Sequence, residues 1–289
     1  MPEKYIQAVR YIRKLRGGSQ PILVEGINGA LYVVKFRDNP QGPNVLFNEA
    51  AGIQLYQACH LPVPAWEPVL FSNGFLERNR ACWFEGPEGR IRPESGLCIG
   101  IRYLQRSQRN LFEILPVTFY NRIRSRSRFW LAWIVDICFS HTDNRQAIFL
   151  ERSDGSLDPV FTDSGSLFGG PDGNEQPLPW SSRYIDPCIY PDLTQSQAEA
   201  CIESLKALNT DYLLRKIRLI PSEWQNHSAL AAYQRGLSLI GSRHLPESTL
   251  ECLLKISGNP SRGDGTAIGG VRRKGSAYAL ASRGAHNLC

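Results

Sequence analysis

The spacing of apolar residues in the first hundred positions predicts β-strands arranged around one helix. Strand-like runs at 22–25 and 30–36 flank Asn28-Gly29, a dipeptide typical of a tight hairpin. From 45 to 59 the apolar residues recur at helical spacing, and the Leu61-Pro62-Val63-Pro64 segment then forces an extended exit. Further strands are predicted near residues 67–71, 81–85 and 97–104.

A short amphipathic helix is also expected at the beginning of the chain. Tyr5, Ile6, Val9 and Ile12 follow helical spacing within residues 4–15, and Gly17-Gly18 would end that helix.

The second half is predicted to be mainly helical. Residues 129–139 are apolar on nearly every side except at Asp136, which is typical of a helix buried on several faces. Two strands, 147–151 and 159–162, follow around an Asp154-Gly155 turn. Later helices are predicted at 195–209, 211–219, 222–239 and 246–256. Residues 258–289 lack periodic apolar spacing, so a disordered basic tail is expected.

The predicted fold class is therefore α+β, with an antiparallel sheet and one important helix followed by a mainly helical part. The expected divisions are an N-terminal nucleotide-binding lobe at 1–105, a helical lobe with the catalytic and metal loops at 106–257, and the tail at 258–289.

Composition changes this interpretation little. The chain has 289 residues, 42% of them hydrophobic, and a formal net charge of +6, which suits a globular protein with a well-buried core. No apolar run approaches a membrane span and no signal peptide is recognised, so a cytoplasmic protein without a membrane partner is expected. The excess positive charge is local, and a nucleic-acid partner is not favoured.

Two features near the N-terminus carry candidate chemistry. In Gly17-Gly18-Ser19-Gln20, glycines allow backbone amides to approach phosphate oxygens, although most Gly-Gly pairs are only turns. Lys35 lies within the predicted strand 30–36 and by itself suits a solvent-exposed edge. Glu49, on the helix that follows, changes that balance, because a strand lysine paired with a helix glutamate is the arrangement that holds the lysine against ATP phosphates in kinases.

Two acidic loops follow the apolar helix. Asp143 lies in the polar cluster 140–146 and is a candidate base for a substrate hydroxyl, with Arg145 a candidate to offset phosphate charge. Asp163 follows a strand and precedes Ser164-Gly165, the order of the magnesium loop of kinases. Asp143 also suits a helix cap, and Asp163 an ordinary turn.

Several of these segments together resemble the small bacterial HipA-like kinases, relatives of the HipA toxin kinase with a phosphatidylinositol-kinase-like ATP site. The resemblance covers residues 17 to about 171. It rests on Gly17-Gly18-Ser19-Gln20-Pro21, Val33-Val34-Lys35-Phe36, Asn39-Pro40-Gln41-Gly42-Pro43, Asn48-Glu49, Leu61-Pro62-Val63-Pro64, Asp143-Asn144-Arg145-Gln146 and Asp163-Ser164-Gly165.

The resemblance implies a two-lobed protein-kinase-like fold with ATP and Mg²⁺ as cofactors. Lys35 would bind the ATP phosphates, Asp143 would be the catalytic aspartate and Asp163 the magnesium ligand. The chain departs from the family pattern Asn-x-Asp-Arg-His-x-x-Asn, because Ile148 occupies the place of the second metal-binding asparagine. One-metal chemistry, replacement by Asn144 or Gln146, and loss of catalysis all remain open.

Two functions follow as hypotheses. The first is an ATP-dependent phosphotransferase acting on a hydroxyl of an unidentified protein or small molecule. The second is a nucleotide-binding pseudokinase or interaction module that has kept the fold without the chemistry. A basic tail that binds nucleic acid or an acidic partner, with the kinase-like part as a scaffold, is a third possibility.

Overall fold

The computed structural model describes residues 5–86, 89–104, 110–173, 189–242, 249–250, 253–254 and 258, and within these ranges the chain is a mixed α+β protein. Its strands are β1 (Ile6–Lys14), β2 (Ile22–Gly26), β3 (Leu31–Lys35), β4 (Trp66–Phe71), β5 (Phe84–Gly86), β6 (Gly89–Ile91), β7 (Gly96–Arg102), β8 (Leu111–Phe112), β9 (Gln146–Glu151) and β10 (Leu157–Thr162). Its α-helices are α1 (Val45–Ala58), α2 (Asn73–Arg78), α3 (Ser127–Cys138), α4 (Gln195–Lys206), α5 (Thr210–Ile217) and α6 (His227–Ile240).

Five strands of the N-terminal half close into a barrel in the order β1-β2-β3-β7-β4. Four of the five pairings are antiparallel, as the sequence predicts. The fifth is a short parallel contact in which Ile6 and Gln7 pair with Val69 and Leu70. The expected antiparallel sheet is therefore corrected to a closed barrel with one parallel pairing, because β1 also pairs with β4.

The helix expected over residues 4–15 is wrong, since this segment is strand β1. The pairing register with β2 shifts between Ala8 and Arg10, and again between Tyr11 and Arg13. Val9 and Ile12 are the extra residues at these two β-bulges. A bulge interrupts the two-residue period of a strand, and here two bulges move apolar residues into positions that imitate the helical period.

Helix α1 packs against one face of the barrel. Val33 belongs to the core that α1 shares with the C-terminal helices, whereas Val34 and Phe36 belong to a second core on the opposite face of the strands. Strand alternation therefore turns Lys35 toward α1, on the same side as Val33. This orientation is what allows a lysine at the end of β3 to meet a carboxylate on the helix.

The C-terminal half contains the predicted buried helix and hairpin. Helix α3 extends over Ser127–Cys138, and its Trp130 is fully buried. Strands β9 and β10 form an antiparallel hairpin in which Gln146 lies opposite Thr162 at one end and Glu151 lies opposite Leu157 at the other. Helices α4, α5 and α6 confirm three of the later predictions, although a short 3₁₀ turn at Ser222–Trp224 precedes α6. Most of the helix expected at 246–256, and the tail beyond 258, lie outside the described residues.

None of the helices in the described ranges is both long enough and apolar enough to cross a membrane.

Candidate functional site

Three charged side chains meet where the barrel, α1 and the end of β10 converge. The Lys35 Nζ donates to Glu49 Oε1 and, at 2.9 Å, to Asp163 Oδ1. Lys35 and Glu49 are almost completely buried, whereas the Asp163 side chain keeps 32% of its surface exposed. One buried ammonium is therefore shared by two carboxylates, and one of these carboxylates faces solvent.

The three groups set each other's protonation. Burial favours the neutral form of Lys35, but the charges of Asp163 and Glu49 outweigh it and raise the pKa of the lysine. Burial would raise the pKa of Asp163, but the charge of Lys35 and its hydrogen bond outweigh burial and lower this pKa to about 2. Burial raises the pKa of Glu49, against the effect of Lys35. With all three ionised, the cluster carries one net negative charge, which complements a cation.

Glu49 and the residue before it hold the loop that follows Asp163, here called the acidic loop (163–173). The backbone amides of Ser164 and Gly165 donate to the Glu49 carboxylate at 3.2 and 3.0 Å. Asn48 Nδ2 donates to the carbonyl oxygens of Gly165, Leu167 and Gly170 at 2.9, 2.8 and 3.0 Å. The Asn48-Glu49 dipeptide thus fixes both the amides and the carbonyls of this loop.

Asp163 itself has a backbone φ of +60°, in the left-handed region. A non-glycine residue rarely adopts this conformation unless its surroundings enforce it. Here the side-chain bond to Lys35 and the amide bonds of the next two residues to Glu49 supply that constraint. The carboxylate is consequently aimed by the backbone as well as by the lysine.

The loop that carries Asp143 lies beside the acidic loop. Thr142 N donates to Ser166 O at 2.9 Å, and Gly169 N donates to Ser140 O at 3.1 Å. The Asp143 carboxylate is exposed and accepts from the backbone amide of Asn144 at 2.7 Å. The structure therefore brings the two predicted acidic residues onto neighbouring loops, with Asp143 facing solvent.

Arg145 lies in a buried ion pair. Its guanidinium binds the Asp136 carboxylate, donates to Thr162 O at 3.1 Å and lies 4.6 Å from the centroid of the Tyr56 ring. The Tyr56 hydroxyl also donates to Asp136. Only 3% of the Arg145 side chain is exposed, so its charge is satisfied inside the protein and does not face solvent beside Asp143.

Electrostatics in this second cluster follow from the same ion pair. Burial alone would favour neutral groups, yet the partner charges lower the pKa of Asp136 and raise that of Arg145. Burial raises the pKa of Tyr56 far above its ordinary value. In the sequence, Asp136 stands out only as an interruption of an apolar helix. A lone acid in such a helix is itself a signal that a buried partner exists.

The glycine turn (17–20) contacts the rest of the site through loop 38–43. Asn39 Nδ2 donates to Ser19 O at 3.1 Å, and a Cβ on Gly18 would lie 2.5 Å from Gln41 Nε2. Gln20 uses its side-chain amide to bond both backbone groups of Glu85. Among the described residues, the backbone amides of Gly18 and Ser19 donate to no protein acceptor.

Loop 38–43 continues this chain of contacts toward the acidic loop. Gly42 has φ +149°, and a Cβ there would lie 2.6 Å from Pro171 O. Asn44 N donates to the same carbonyl at 2.9 Å. Loop 38–43 therefore contacts the glycine turn on one side and the acidic loop on the other.

A divalent cation would find few protein ligands here. In the described part of the chain, no three or more His, Cys, Asp and Glu side chains are grouped so that they could hold a metal ion. Asp163 offers a partly exposed carboxylate, and Gln146 pairs across the ladder with Thr162, the residue before it. Gln146 Oε1 is buried and accepts no hydrogen bond from any described group. The single partly exposed carboxylate of Asp163 suits Mg²⁺, which typically takes one or two carboxylates and completes its shell with phosphates and water.

Ile148, at the position where the family pattern has a second metal-binding asparagine, is 3% exposed in β9 and pairs with Val160. It is a packing residue of the hairpin.

Comparison with solved structures finds kinases. The Helicobacter pylori proinflammatory kinase CtkA aligns over 87% of this chain and 96% of its own, with 14% identity and a TM-score of 0.48. The Golgi casein kinase with Mn/ADP bound aligns over 87% and 73%, with 14% identity and a TM-score of 0.47, and another structure of the Golgi casein kinase gives 13% and 0.48 over the same shares. With TM-scores below 0.5, these likenesses define neither a family nor an activity.

The sequence matches no protein-family model and no curated protein.

Proposed function

We propose that this protein is an ATP-dependent phosphotransferase of the HipA-like type, with a two-lobed kinase arrangement. The observation that carries the proposal is the sharing of one buried lysine by a helix glutamate and a loop aspartate. In this arrangement Lys35 binds ATP phosphates, Glu49 fixes the lysine, and Asp163 holds Mg²⁺. The acceptor is a hydroxyl on a protein or small molecule.

Each residue has a distinct part in the proposed reaction. Lys35 presents its ammonium to the phosphates. The backbone amides of Gly18 and Ser19, which have no acceptor within the described ranges, offer further donors to phosphate oxygens. Asp163 would hold the magnesium ion, with Gln146 as the second candidate ligand. The ion's chemistry is to neutralise charge on the transferring phosphoryl group.

Asp143 is proposed to accept the proton of the substrate hydroxyl, because its carboxylate is exposed on a loop anchored to the acidic loop. Arg145 acts differently from the sequence expectation in this proposal. Its bonds to Asp136 and to Thr162 O set the spacing between the Asp143 loop and β10, so we assign it a positioning role.

Calorimetric titration with ATP, with and without Mg²⁺, tests the nucleotide site. The wild-type protein is expected to bind ATP more tightly with Mg²⁺, and Lys35→Ala is expected to lose that binding. Lys206→Ala, which removes an exposed lysine paired with Glu203 on α4, is the matched control and should bind normally. If the wild-type protein binds no ATP either with or without Mg²⁺, the proposal is wrong.

A second candidate function is a nucleotide-binding pseudokinase, and the buried Ile148 favours it because that side chain supplies no metal ligand. Transfer of phosphate from ATP to added hydroxyl acceptors, or to the protein itself, separates the two candidates. An active kinase loses transfer in Asp143→Ala while still binding Mg²⁺-ATP. Nucleotide binding without turnover in the wild-type protein would establish the pseudokinase.

A further inference from the structure

A groove of about 780 Å³ lies on the side of α1 away from the Lys35 site. Its lining includes Gln54 and Gln57 of α1 and most of the segment from Lys216 to Gln225. Trp66, at the beginning of β4, also lines the groove. The volume is within the range of about 300–1,000 Å³ that is typical of small-molecule sites.

The groove is separate from the proposed nucleotide site. None of Lys35, Glu49, Asp143 and Asp163 lines it. A helix turns by about 100° per residue, which places Gln54 about 140° around α1 from Glu49. A ligand in the groove would therefore contact the same helix on a different face.

The lining of the groove contains two cations, Lys216 and Arg218, and within the described ranges no carboxylate oxygen lies within 4 Å of their charged nitrogens. Two carboxylates also line the groove. Glu67 is engaged by Tyr32 and Arg102, and Glu223 is exposed, so the cations outnumber the uncommitted carboxylates by one. An excess of positive charge beside a concave surface favours an anionic group.

The rest of the lining supplies apolar surface and a buried acceptor. Leu219 is 66% exposed and the Trp66 ring is only partly buried, so a planar apolar group has surfaces to cover. Gln54 Oε1 receives no hydrogen bond from any described residue. This buried oxygen is an acceptor that an N–H or O–H group of a bound molecule would satisfy.

A smaller cavity of about 290 Å³ continues this surface along α1. Gln54, Gln57 and Lys216 line both cavities, and Tyr212 contributes an aromatic ring to the smaller one. The two spaces together would accommodate a molecule longer than the main groove alone.

We propose that this groove binds a small anionic amphipathic molecule, with a planar apolar body against Trp66 and Leu219 and a carboxylate, sulfonate or phosphate at Lys216 and Arg218. This site is independent of the proposed kinase function, because no residue of the nucleotide site takes part in it.

Titration with 8-anilinonaphthalene-1-sulfonate tests the proposal, since this probe combines a planar aromatic body, an N–H donor and a sulfonate. The folded protein is expected to bind one equivalent and to shift the Trp66 indole N–H signal in a ¹H–¹⁵N spectrum, assigned with Trp66→Phe. Lys216→Gln with Arg218→Gln should weaken binding at least tenfold, or about 1.4 kcal/mol.

Arg215→Gln is the matched control, because Arg215 is exposed on the same helix but does not line the groove. It should bind like the wild-type protein, and all variants should unfold at the wild-type temperature, which excludes probe binding to loosened structure. Equal affinity in the double variant, or displacement of the probe by Mg²⁺-ATP, would overturn the proposal. A failure of ATP binding alone leaves this result unaffected.

Discussion

At the scale of single residues, Lys35 determines the state of the site by dividing its ammonium between Glu49 and Asp163. The two carboxylates occupy different surroundings, since Glu49 is buried and Asp163 is partly exposed. Only Asp163 is therefore placed to exchange its lysine contact for a cation from solvent. Glu49 retains two backbone amides in either case.

Removing the lysine charge should raise the pKa of Asp163. In Lys35→Met, burial remains and the largest opposing influence is lost, so we expect the pKa to rise from about 2 to above its ordinary value of 3.8. Titration of the ¹³C carboxyl signal of Asp163 measures this. Lys14→Met, which removes a lysine bonded to Gln20, is the control and should leave the signal unchanged.

The same change alters how stability depends on pH. In the wild-type protein the depressed pKa of Asp163 contributes stability above pH 3.8, which is lost as the pH falls toward 2. In Lys35→Met the raised pKa makes ionisation of Asp163 oppose folding as the pH rises. The difference in unfolding free energy between the two proteins should therefore widen from pH 2 to pH 6 in urea titrations. A constant difference would contradict the assigned coupling.

At this scale, some residues are informative through their type and their order along the chain. The sequence predicts Lys35 with Glu49 as one pair and Asp143 with Asp163 as another, and in the structure Lys35 bonds both Glu49 and Asp163. Their roles in binding ATP and Mg²⁺ stay predictions. Asn48 and Tyr56 received no predicted role, since their partners lie about 80 to 120 positions away and an amide or a phenol has many local uses.

At the scale of elements, α1 approaches the acidic loop closely because Gly52 has no side chain. A Cβ at this position would lie 2.5 Å from Ser164 Cβ and 2.7 Å from Leu167 Cδ1. These are not the ends of long flexible groups, so the helix or the loop would have to move. The glycine thus keeps Glu49 within reach of the two amides that it binds.

Gly52→Ala should destabilise the protein despite the better helix propensity of alanine. Overpacking typically costs about 1–3 kcal/mol, which exceeds the gain of about 1 kcal/mol from replacing a helical glycine. Chemical denaturation measures the net change. Gly74→Ala in α2 is the control, because its nearest new contact is 3.4 Å from a flexible arginine and no loss of stability is expected.

Strand β1 illustrates where periodicity fails as a predictor of elements. The two bulges are positions at which pairing with β2 skips a residue, and they exist only when the partner strand is present. A window of sequence contains no information about that partner. By contrast, the sequence predicts α1, α3 and the β9–β10 hairpin to within about two residues at most ends, because no bulge shifts their periodicity.

At the scale of the whole molecule, the buried cluster of Tyr56, Asp136 and Arg145 joins the two halves. Tyr56 belongs to α1, Asp136 to α3, and Arg145 to the loop before β9, where it also holds Thr162 O. The helix that fixes Lys35 is therefore bonded to the helix that precedes the Asp143 loop.

Arg145→Met should be strongly destabilising because it leaves the buried Asp136 carboxylate without its cation. Loss of one partner of a buried ion pair typically costs about 3–5 kcal/mol. Unfolding free energies from urea titration measure this change. The double variant Asp136→Asn with Arg145→Met removes both charges and should recover much of the loss. A double variant as unstable as the single one would show that the arginine acts through packing alone.

Helix α1 has a different partner on each of several sides: Asn48 and Glu49 hold the acidic loop, Gly52 lies against that loop, and Tyr56 bonds α3. The number of residues between Asn48 and Tyr56 is consequently fixed, because contacts at both ends of this segment must be kept. One residue inserted after Gly52 would turn everything beyond it by about 100° and carry the Tyr56 hydroxyl away from Asp136. Among natural homologues, we therefore expect length variation in the surrounding loops but none between Asn48 and Tyr56, a constraint that substitution patterns alone would not reveal.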